Sequence, residues 1–113
     1  MTEKAMEYYR KAVELNPGDP ANQIGMGTAL LNAGRPSEAK ELYDEAFSMI
    51  EADPSSVSIP TLAVAYVSYG LCLGRLGDRR GALKYFSLAQ KNGFSQSSLD
   101  GYCRELNLNP DLI

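Results

Sequence analysis

A triplet of two alanines around an aromatic residue recurs three times in this chain of 113 residues and constrains the fold more than any other feature. The copies, separated by 34 and then 43 residues, are Ala5-Tyr9-Ala12, Ala39-Tyr43-Ala46 and Ala82-Phe86-Ala89. Self-similarity at such a period is typical of proteins that stack copies of one supersecondary unit. The chain is therefore predicted to stack repeats, with small residues where helices approach closely and aromatic rings between them.

A second motif precedes the second and third triplets. It reads Met26-Gly27, Leu30 and Gly34, and 43 residues later Tyr69-Gly70, Leu73 and Gly77. Together the two motifs resemble the tetratricopeptide repeat, a helix-turn-helix unit with Leu-Gly and Tyr in its first helix and Ala, Phe, Ala and Pro in its second. The chain departs from that pattern where the family has its leading Trp (Gln23, Tyr66), at its first-helix Tyr (Leu30, Leu73), and in having no Pro at the usual distance after Ala89.

Turn and capping residues predict an all-α fold of about six helices. Asp19 is suited to cap a helix that begins at Pro20, Ser37 can cap the next helix unless Pro36 lies in its first turn, and Gly34 and Gly77 end two first helices. The predicted helices are 2–16, 20–33, 36–52, 59–76, 78–92 and 97–107. The resemblance implies a right-handed α-solenoid of antiparallel hairpins, with a single domain at 1–113: a half repeat (2–16), a repeat with a long second helix (20–52), a second repeat (59–92) and a C-terminal capping helix (97–107).

Composition argues against catalysis. The chain contains no histidine, the commonest general base and metal ligand at neutral pH. Its two cysteines, Cys72 and Cys103, fall short of the four thiolates that a histidine-free zinc site uses, and we interpret both as small buried hydrophobic residues rather than as a disulfide. We therefore predict no catalytic residue, no metal and no cofactor.

Charge and hydropathy argue against nucleic-acid and membrane partners. The net charge is −3 and the pI near 4.9, so no basic field exists to attract phosphates. Residues 54–74 carry no charge and have the length of a membrane span, but serine, proline and glycine interrupt them. We expect a buried helix there, and no membrane insertion.

The resemblance implies a function in protein binding, because first helices of this family line a concave groove for a peptide or helix of a partner. The positions carried over are Ile24, Thr28, Leu31, Asn32, Val64, Val67, Leu71 and Arg75. Such a groove is mostly apolar, with Asn32 and Arg75 as its long polar donors, so it favours a hydrophobic peptide over a carboxylate clamp. The alternative is that Val64, Val67 and Leu71 are core residues covered by the N-terminal or the last helix.

Two further segments leave alternatives open. The half repeat at 2–16 lacks a first helix, so we expect either a fragment of a longer array, which we favour, or a face covered by a second copy of the chain.

No signal peptide is visible, which indicates a cytoplasmic protein by default, or a periplasmic one if an upstream signal was removed. The second interval between triplets is nine residues longer than the first, which predicts long third and fourth helices, with Met49, Ile50, Ile59 and Leu62 packed on each other rather than on a partner.

The function predicted from the sequence is a non-catalytic interaction module or scaffold that binds a protein or peptide partner. The alternative is a structural segment that mediates self-association or assembly without a ligand groove. Bacterial secretion and pilus-assembly proteins contain such repeats, an analogy at the level of the family alone.

Overall fold

The protein is all-helical in the part of the chain described by its structure, a computed structural model that covers residues 2–113. The six α-helices are α1 (Thr2–Leu15), α2 (Pro20–Asn32), α3 (Pro36–Ala52), α4 (Ile59–Arg75), α5 (Arg79–Lys91) and α6 (Gln96–Glu105). Short 3-10 turns lie at Pro54–Ser56 and Pro110–Leu112. The predicted all-α fold and number of helices are confirmed, and no helix end is displaced by more than two residues. Met1, which the predicted domain includes, lies outside the described residues.

The chain divides into two compact units, Met1–Ser58 and Ile59–Ile113. Unit 1 contains α1, α2 and α3, and unit 2 contains α4, α5 and α6. Each unit holds one pair of helices joined by a turn of three residues, which makes the paired helices antiparallel neighbours. The additional helix is α1 in unit 1 and α6 in unit 2.

Two helices are capped by an aspartate, and a third begins at a proline without a side-chain cap. The Asp19 carboxylate accepts a hydrogen bond from the amide of Ala21 at 3.1 Å, and that of Asp78 accepts one from the amide of Gly81 at 2.8 Å. Helix α3 begins at Pro36, so Pro36 lies in the first turn and Ser37 is not the cap, while Arg35 at the N-cap makes no capping bond with its side chain. Proline is stable there because its missing N–H would have no partner in the first turn.

Glycine ends the first helix of each pair. Gly34 and Gly77 have φ values of +78° and +92°, a region that costs other residues energy. The following amide in each case reaches back to the helix, with Arg35 donating to the Leu30 carbonyl at 2.9 Å and Asp78 to that of Leu73 at 2.8 Å. These are Schellman motifs, and they turn the chain sharply into the second helix.

We expect Gly77→Ala to lower the free energy of unfolding by about 1–2 kcal/mol, because alanine is strained at positive φ. The matched control is Gly101→Ala within α6, where an added Cβ meets nothing closer than Arg104 Nη2 at 4.0 Å. That change is expected to stabilise the protein by up to about 1 kcal/mol, since alanine is the better helix former. Urea unfolding followed by circular dichroism measures the free energy of unfolding of both variants. Equal effects of the two substitutions would contradict a special requirement for glycine at position 77.

The core of unit 1 forms where a glycine of α2 meets an aromatic ring of α3. A Cβ at Gly27 would lie 3.1 Å from the ring of Tyr43, and Tyr43 is fully buried together with Ala39 and Ala46. The Tyr43 hydroxyl lies 2.9 Å from Thr28 Oγ1, which gives this buried polar group a hydrogen-bond partner. The small residue is therefore what allows the two helices to approach closely.

The core of unit 2 repeats the same contact and extends it to α6. A Cβ at Gly70 would lie 2.7 Å from Phe86 Cε1, so α4 and α5 are in close contact at this point. The buried cluster around that contact contains Val67, Ala82, Phe86, Ala89, Leu99, Cys103 and Leu108. Leu99 and Cys103 belong to α6, and Leu106, the residue directly after α6, covers Gly74 of α4. Helix α6 thus completes the core of unit 2.

Candidate functional site

On α2, the structure leaves little of the predicted groove exposed. Ile24 and Leu31 are buried, and Thr28 is half-buried. The Thr28 hydroxyl donates to the carbonyl of Ile24 at 3.0 Å and lies beside Tyr43, so its polar atom is engaged within unit 1. Asn32, at the last turn, is exposed. Of the four residues predicted on this helix, Asn32 is therefore the one whose side chain a partner would meet.

On α4, the four predicted residues span the boundary between core and surface. Val67 is 4% exposed and packs with Leu99 and Cys103 of α6, and Leu71 is partly buried against the same cluster. Val64 is 53% exposed, and Arg75 is exposed at the end of the helix. For Val67 the structure thus shows the alternative noted from the sequence, a core residue covered by the last helix.

The four predicted residues of α4 differ in exposure because the face that they form is wide. Residues spaced by three and four positions cover a broad arc of a helix, and α6 packs against one edge of that arc, at Val67 and Gly74. The opposite edge stays accessible. We define the α4 stripe as the residues on that edge, Pro60, Val64, Ser68, Leu71 and Arg75, which are exposed or half-buried. Sequence reasoning missed Pro60 and Ser68, although their spacing of four from Val64 places them on its face.

The α4 stripe carries one ionisable group, at its C-terminal end. Arg75 Nη2 lies 3.3 Å from Glu105 Oε2 of α6, and both side chains are more than a third exposed. An ion pair so exposed contributes little to stability, so a partner carboxylate can compete for the arginine. The rest of the stripe is apolar or carries a single hydroxyl, which suits a hydrophobic segment with few charges.

The other apolar residues singled out from the sequence differ in their exposure. Ile50 of α3 is buried and Met49 half-buried, while Leu62 of α4 is half-buried and Ile59 is exposed. Ile59 stands at the first residue of α4, before the first hydrogen-bonded turn is complete. The predicted packing of these four side chains on each other remains a prediction.

The cysteines are structural, as predicted. Cys72 and Cys103 are buried thiols, which confirms their interpretation as small hydrophobic residues. Burial raises the pKa of the Cys103 thiol, and the nearby Asp100 carboxylate raises it further. The thiol is therefore neutral at physiological pH and a poor nucleophile.

A family model described as tetratricopeptide repeat matches residues 1–58, slightly more than half of the chain. The protein belongs to the tetratricopeptide repeat family. No curated protein sequence matches the chain. Tetratricopeptide repeats in general mediate protein–protein interactions and are non-catalytic. The matched segment contains α1, α2 and α3, so it includes the contact between Gly27 and Tyr43.

Unit 2 lies beyond the matched segment and shows the tetratricopeptide pattern in its packing. The pair Gly70–Phe86 follows the pair Gly27–Tyr43 by 43 residues, and each pair places an aromatic ring over a glycine of the preceding helix. Among the described residues, no group of three or more acidic, cysteine or histidine side chains is arranged to hold a metal ion. Within the same residues, every helix is too short or too polar to cross a membrane.

Proposed function

We propose that the protein is a binding module that holds an apolar segment of a partner protein on the α4 stripe. The observation that carries this proposal is the exposure of Val64, a large apolar side chain on the first helix of a tetratricopeptide repeat. Leu71 continues the apolar surface toward Arg75, and both residues were predicted to contact a partner. Asn32 of α2 is the exposed polar position that unit 1 contributes to the predicted set.

The mode of binding follows from the composition of the α4 stripe. Covering an exposed valine contributes about 1–2 kcal/mol, and a neighbouring leucine adds a similar amount, so affinity comes from buried apolar area. Arg75 contributes orientation, because a carboxylate in the partner gains a charge-assisted hydrogen bond only in one register. Ile24, Leu31 and Val67 take no part in this surface, because their side chains are buried.

Substitution of Val64 by aspartate tests the proposal. Peptides are first selected on the wild-type protein from a displayed random library, and their affinities are then measured by fluorescence anisotropy. We expect selected peptides to be apolar and to bind Val64→Asp at least tenfold more weakly, which corresponds to about 1.4 kcal/mol. The control is Ser98→Asp, which adds the same charge at an exposed position of α6.

Two results would contradict the proposal. Selected peptides that bind Val64→Asp and the wild type equally well would place the binding surface elsewhere. An equal loss of affinity in Ser98→Asp would show that charge, and not the α4 stripe, controls binding. Circular dichroism of both variants verifies that each is folded.

A different surface favours the alternative function, a structural segment that assembles with other helices. The N-terminal helix has an apolar face that the rest of the described chain leaves uncovered.

A further inference from the structure

The α5–α6 turn, residues 92–95, begins with an asparagine followed by a glycine. Of the six asparagines in the chain, Asn92 alone precedes a glycine. Asparagine is a thermolabile residue, because the backbone nitrogen of the next residue can attack its side-chain amide. Glycine has no Cβ to obstruct that attack, so the covalent structure makes Asn92 the most reactive of the six asparagines.

The reaction requires water and no other reagent. The backbone nitrogen of Gly93 forms a bond to Cγ of Asn92, the bond from Cγ to Nδ2 breaks, and Nδ2 leaves as ammonia with the proton that the backbone nitrogen gives up. Water then opens the succinimide ring. Opening at the side-chain carbonyl gives aspartate, and opening at the main-chain carbonyl gives isoaspartate, whose backbone is longer by one methylene. The first step is intramolecular, which favours it over direct hydrolysis of the side chain.

Hydrogen bonds hold both reacting groups while the α5–α6 turn is closed. Nδ2 of Asn92 donates to the Leu88 carbonyl at 2.7 Å, and the amide of Gly93 donates to the Gln90 carbonyl at 3.0 Å. The Asn92 side chain is also half-buried, turned back toward α5. Attack on Cγ therefore requires that both hydrogen bonds break, so the closed turn protects the asparagine.

Further hydrogen bonds keep the α5–α6 turn closed. The amide of Phe94 donates to the Ala89 carbonyl at 3.0 Å, and this bond and the one from the preceding amide form a Schellman motif. The side chain of Gln90 donates to that of Gln96, and Gln96 donates to the Asp100 carboxylate at 2.7 Å. Because Gln90 and Gln96 are exposed, these bonds compete with water, and the turn opens more readily than the core.

Either product of the reaction prevents the turn from closing as before. An aspartate at position 92 cannot donate to the Leu88 carbonyl, and its charge lies at the end of α5 where the helix dipole is also negative. An isoaspartate lengthens the backbone before Gly93, which displaces the amides of the Schellman motif from their carbonyls. Because ammonia leaves, each molecule that reacts keeps the altered turn.

The α5–α6 turn positions α6 on the core of unit 2. Leu99 and Cys103 of α6 are fully buried in that core. The ring of Phe94, within the turn, packs beside the ring of Tyr102 on α6 with a centroid separation of 6.5 Å. A displaced turn therefore weakens the packing of α6, and the Cys103 thiol then becomes accessible to reagents.

We propose that Asn92 is a site of spontaneous deamidation that reacts when the α5–α6 turn opens, and that the products leave α6 more weakly packed on the core of unit 2. The modification needs no enzyme, and its extent records how often the turn has been open. The proposal goes beyond the binding function described above and does not depend on a ligand.

One tryptic peptide reports both parts of the proposal. Trypsin cleaves after Lys91 and Arg104, so the peptide 92–104 contains both Asn92 and Cys103. The protein is aged in neutral buffer, exposed briefly to iodoacetamide while folded, and then denatured and treated with an isotope-labelled form of the same reagent. Mass spectrometry of the peptide gives the deamidated fraction. It also gives the alkylation of Cys103 in the folded state, separately for the amide and the acid forms.

We expect Asn92 to deamidate at least about tenfold faster in guanidinium chloride than in buffer, because denaturation removes the hydrogen bonds of the turn. In the denatured protein it should also react faster than Asn32, which precedes an alanine. In buffer, Leu99→Ala should accelerate the reaction, since it weakens the packing of α6. The matched control is Leu112→Ala, which alters a side chain that is 65% exposed in the same unit.

We expect Cys103 to be alkylated about tenfold faster in the acid form than in the amide form. The loss of one hydrogen bond and the repulsion at the helix end together correspond to about 1.4 kcal/mol, which is that ratio. Asn92→Asp reproduces one product without ageing and should show a similar increase. The control is Ser98→Asp, which adds the same charge at an exposed position of α6 and should leave the alkylation rate unchanged.

Three results would overturn the proposal. Equal rates of deamidation in buffer and in denaturant would show that the turn does not control the reaction. Equal rates at Asn32 and Asn92 in the denatured protein would show that Asn92 is not a distinct site. Equal alkylation of Cys103 in the amide and acid forms would show that deamidation leaves α6 in place. Because these measurements involve no ligand, their failure is distinguishable from failure of the peptide-binding experiment.

Discussion

Substitution of Val67 by aspartate is expected to unfold unit 2, whereas the same substitution at Val64, three residues earlier on the same helix, is expected to be tolerated. Val67 is buried against Leu99 and Cys103, so an aspartate there would place a carboxylate among apolar side chains. A buried charge without a partner costs at least about 4–5 kcal/mol, comparable to the whole stability of many small domains. Val64 is half-exposed, and an aspartate at that position reaches water.

Thermal unfolding followed by circular dichroism measures the difference between the two variants. We expect Val64→Asp to lose less than about 1 kcal/mol, as exposed substitutions usually do. Val67→Asp is expected to show no cooperative transition for unit 2. If Val67→Asp melts like the wild type, Val67 is accessible to water and returns to the set of candidate binding residues.

The three aromatic residues of the repeated triplet should contribute unequally to stability. Phe86→Ala is expected to cost about 3–5 kcal/mol, because Phe86 is fully buried and its ring fills the space beside Gly70. Tyr43→Ala should cost a similar amount, since it also deprives Thr28 of a hydrogen-bond partner. Tyr9 is only half-buried, so Tyr9→Ala is expected to cost about half as much, roughly 1.5–2.5 kcal/mol.

Urea unfolding curves of the three alanine variants give the free energies to be compared. The wild-type curve under the same conditions is the control, and an unchanged m-value shows that the transition is comparable. Equal costs at Tyr9 and Phe86 would mean that α1 is as fully packed in solution as α5.

The helices could be predicted because their signals are local. Asp19, Pro20, Gly34 and Gly77 act through hydrogen bonds and backbone angles within a few residues, so the ends of α2 and α4 could be located from the sequence alone. The start of α3 stayed open, since serine is a good N-cap at position 37 and proline is equally acceptable in a first turn at position 36. The packing around Gly27 and Gly70 followed from the repetition of one motif at equal spacing.

The candidate site could be predicted only in part, because exposure depends on contacts between distant residues. Val64, Leu71 and Arg75 fall on one face by their spacing, and the structure leaves that face accessible. Val67 belongs to the same sequence pattern, yet residues about thirty positions later cover it. Its spacing on α4 contains no information about where α6 packs.

The sequence by itself determined the family, the all-helical fold and the ends of each helix to within two residues, because repeats, caps and turn glycines act over short distances. The tertiary structure decided which apolar residues are covered. Helix α6 packs against one edge of α4 and turns Val67 into a core residue, while α1 has a covering helix on one side and leaves Tyr8 and Leu15 in water. Three triplets alike in spacing thus differ in burial, since burial depends on the neighbours that a helix has and not on its own residues.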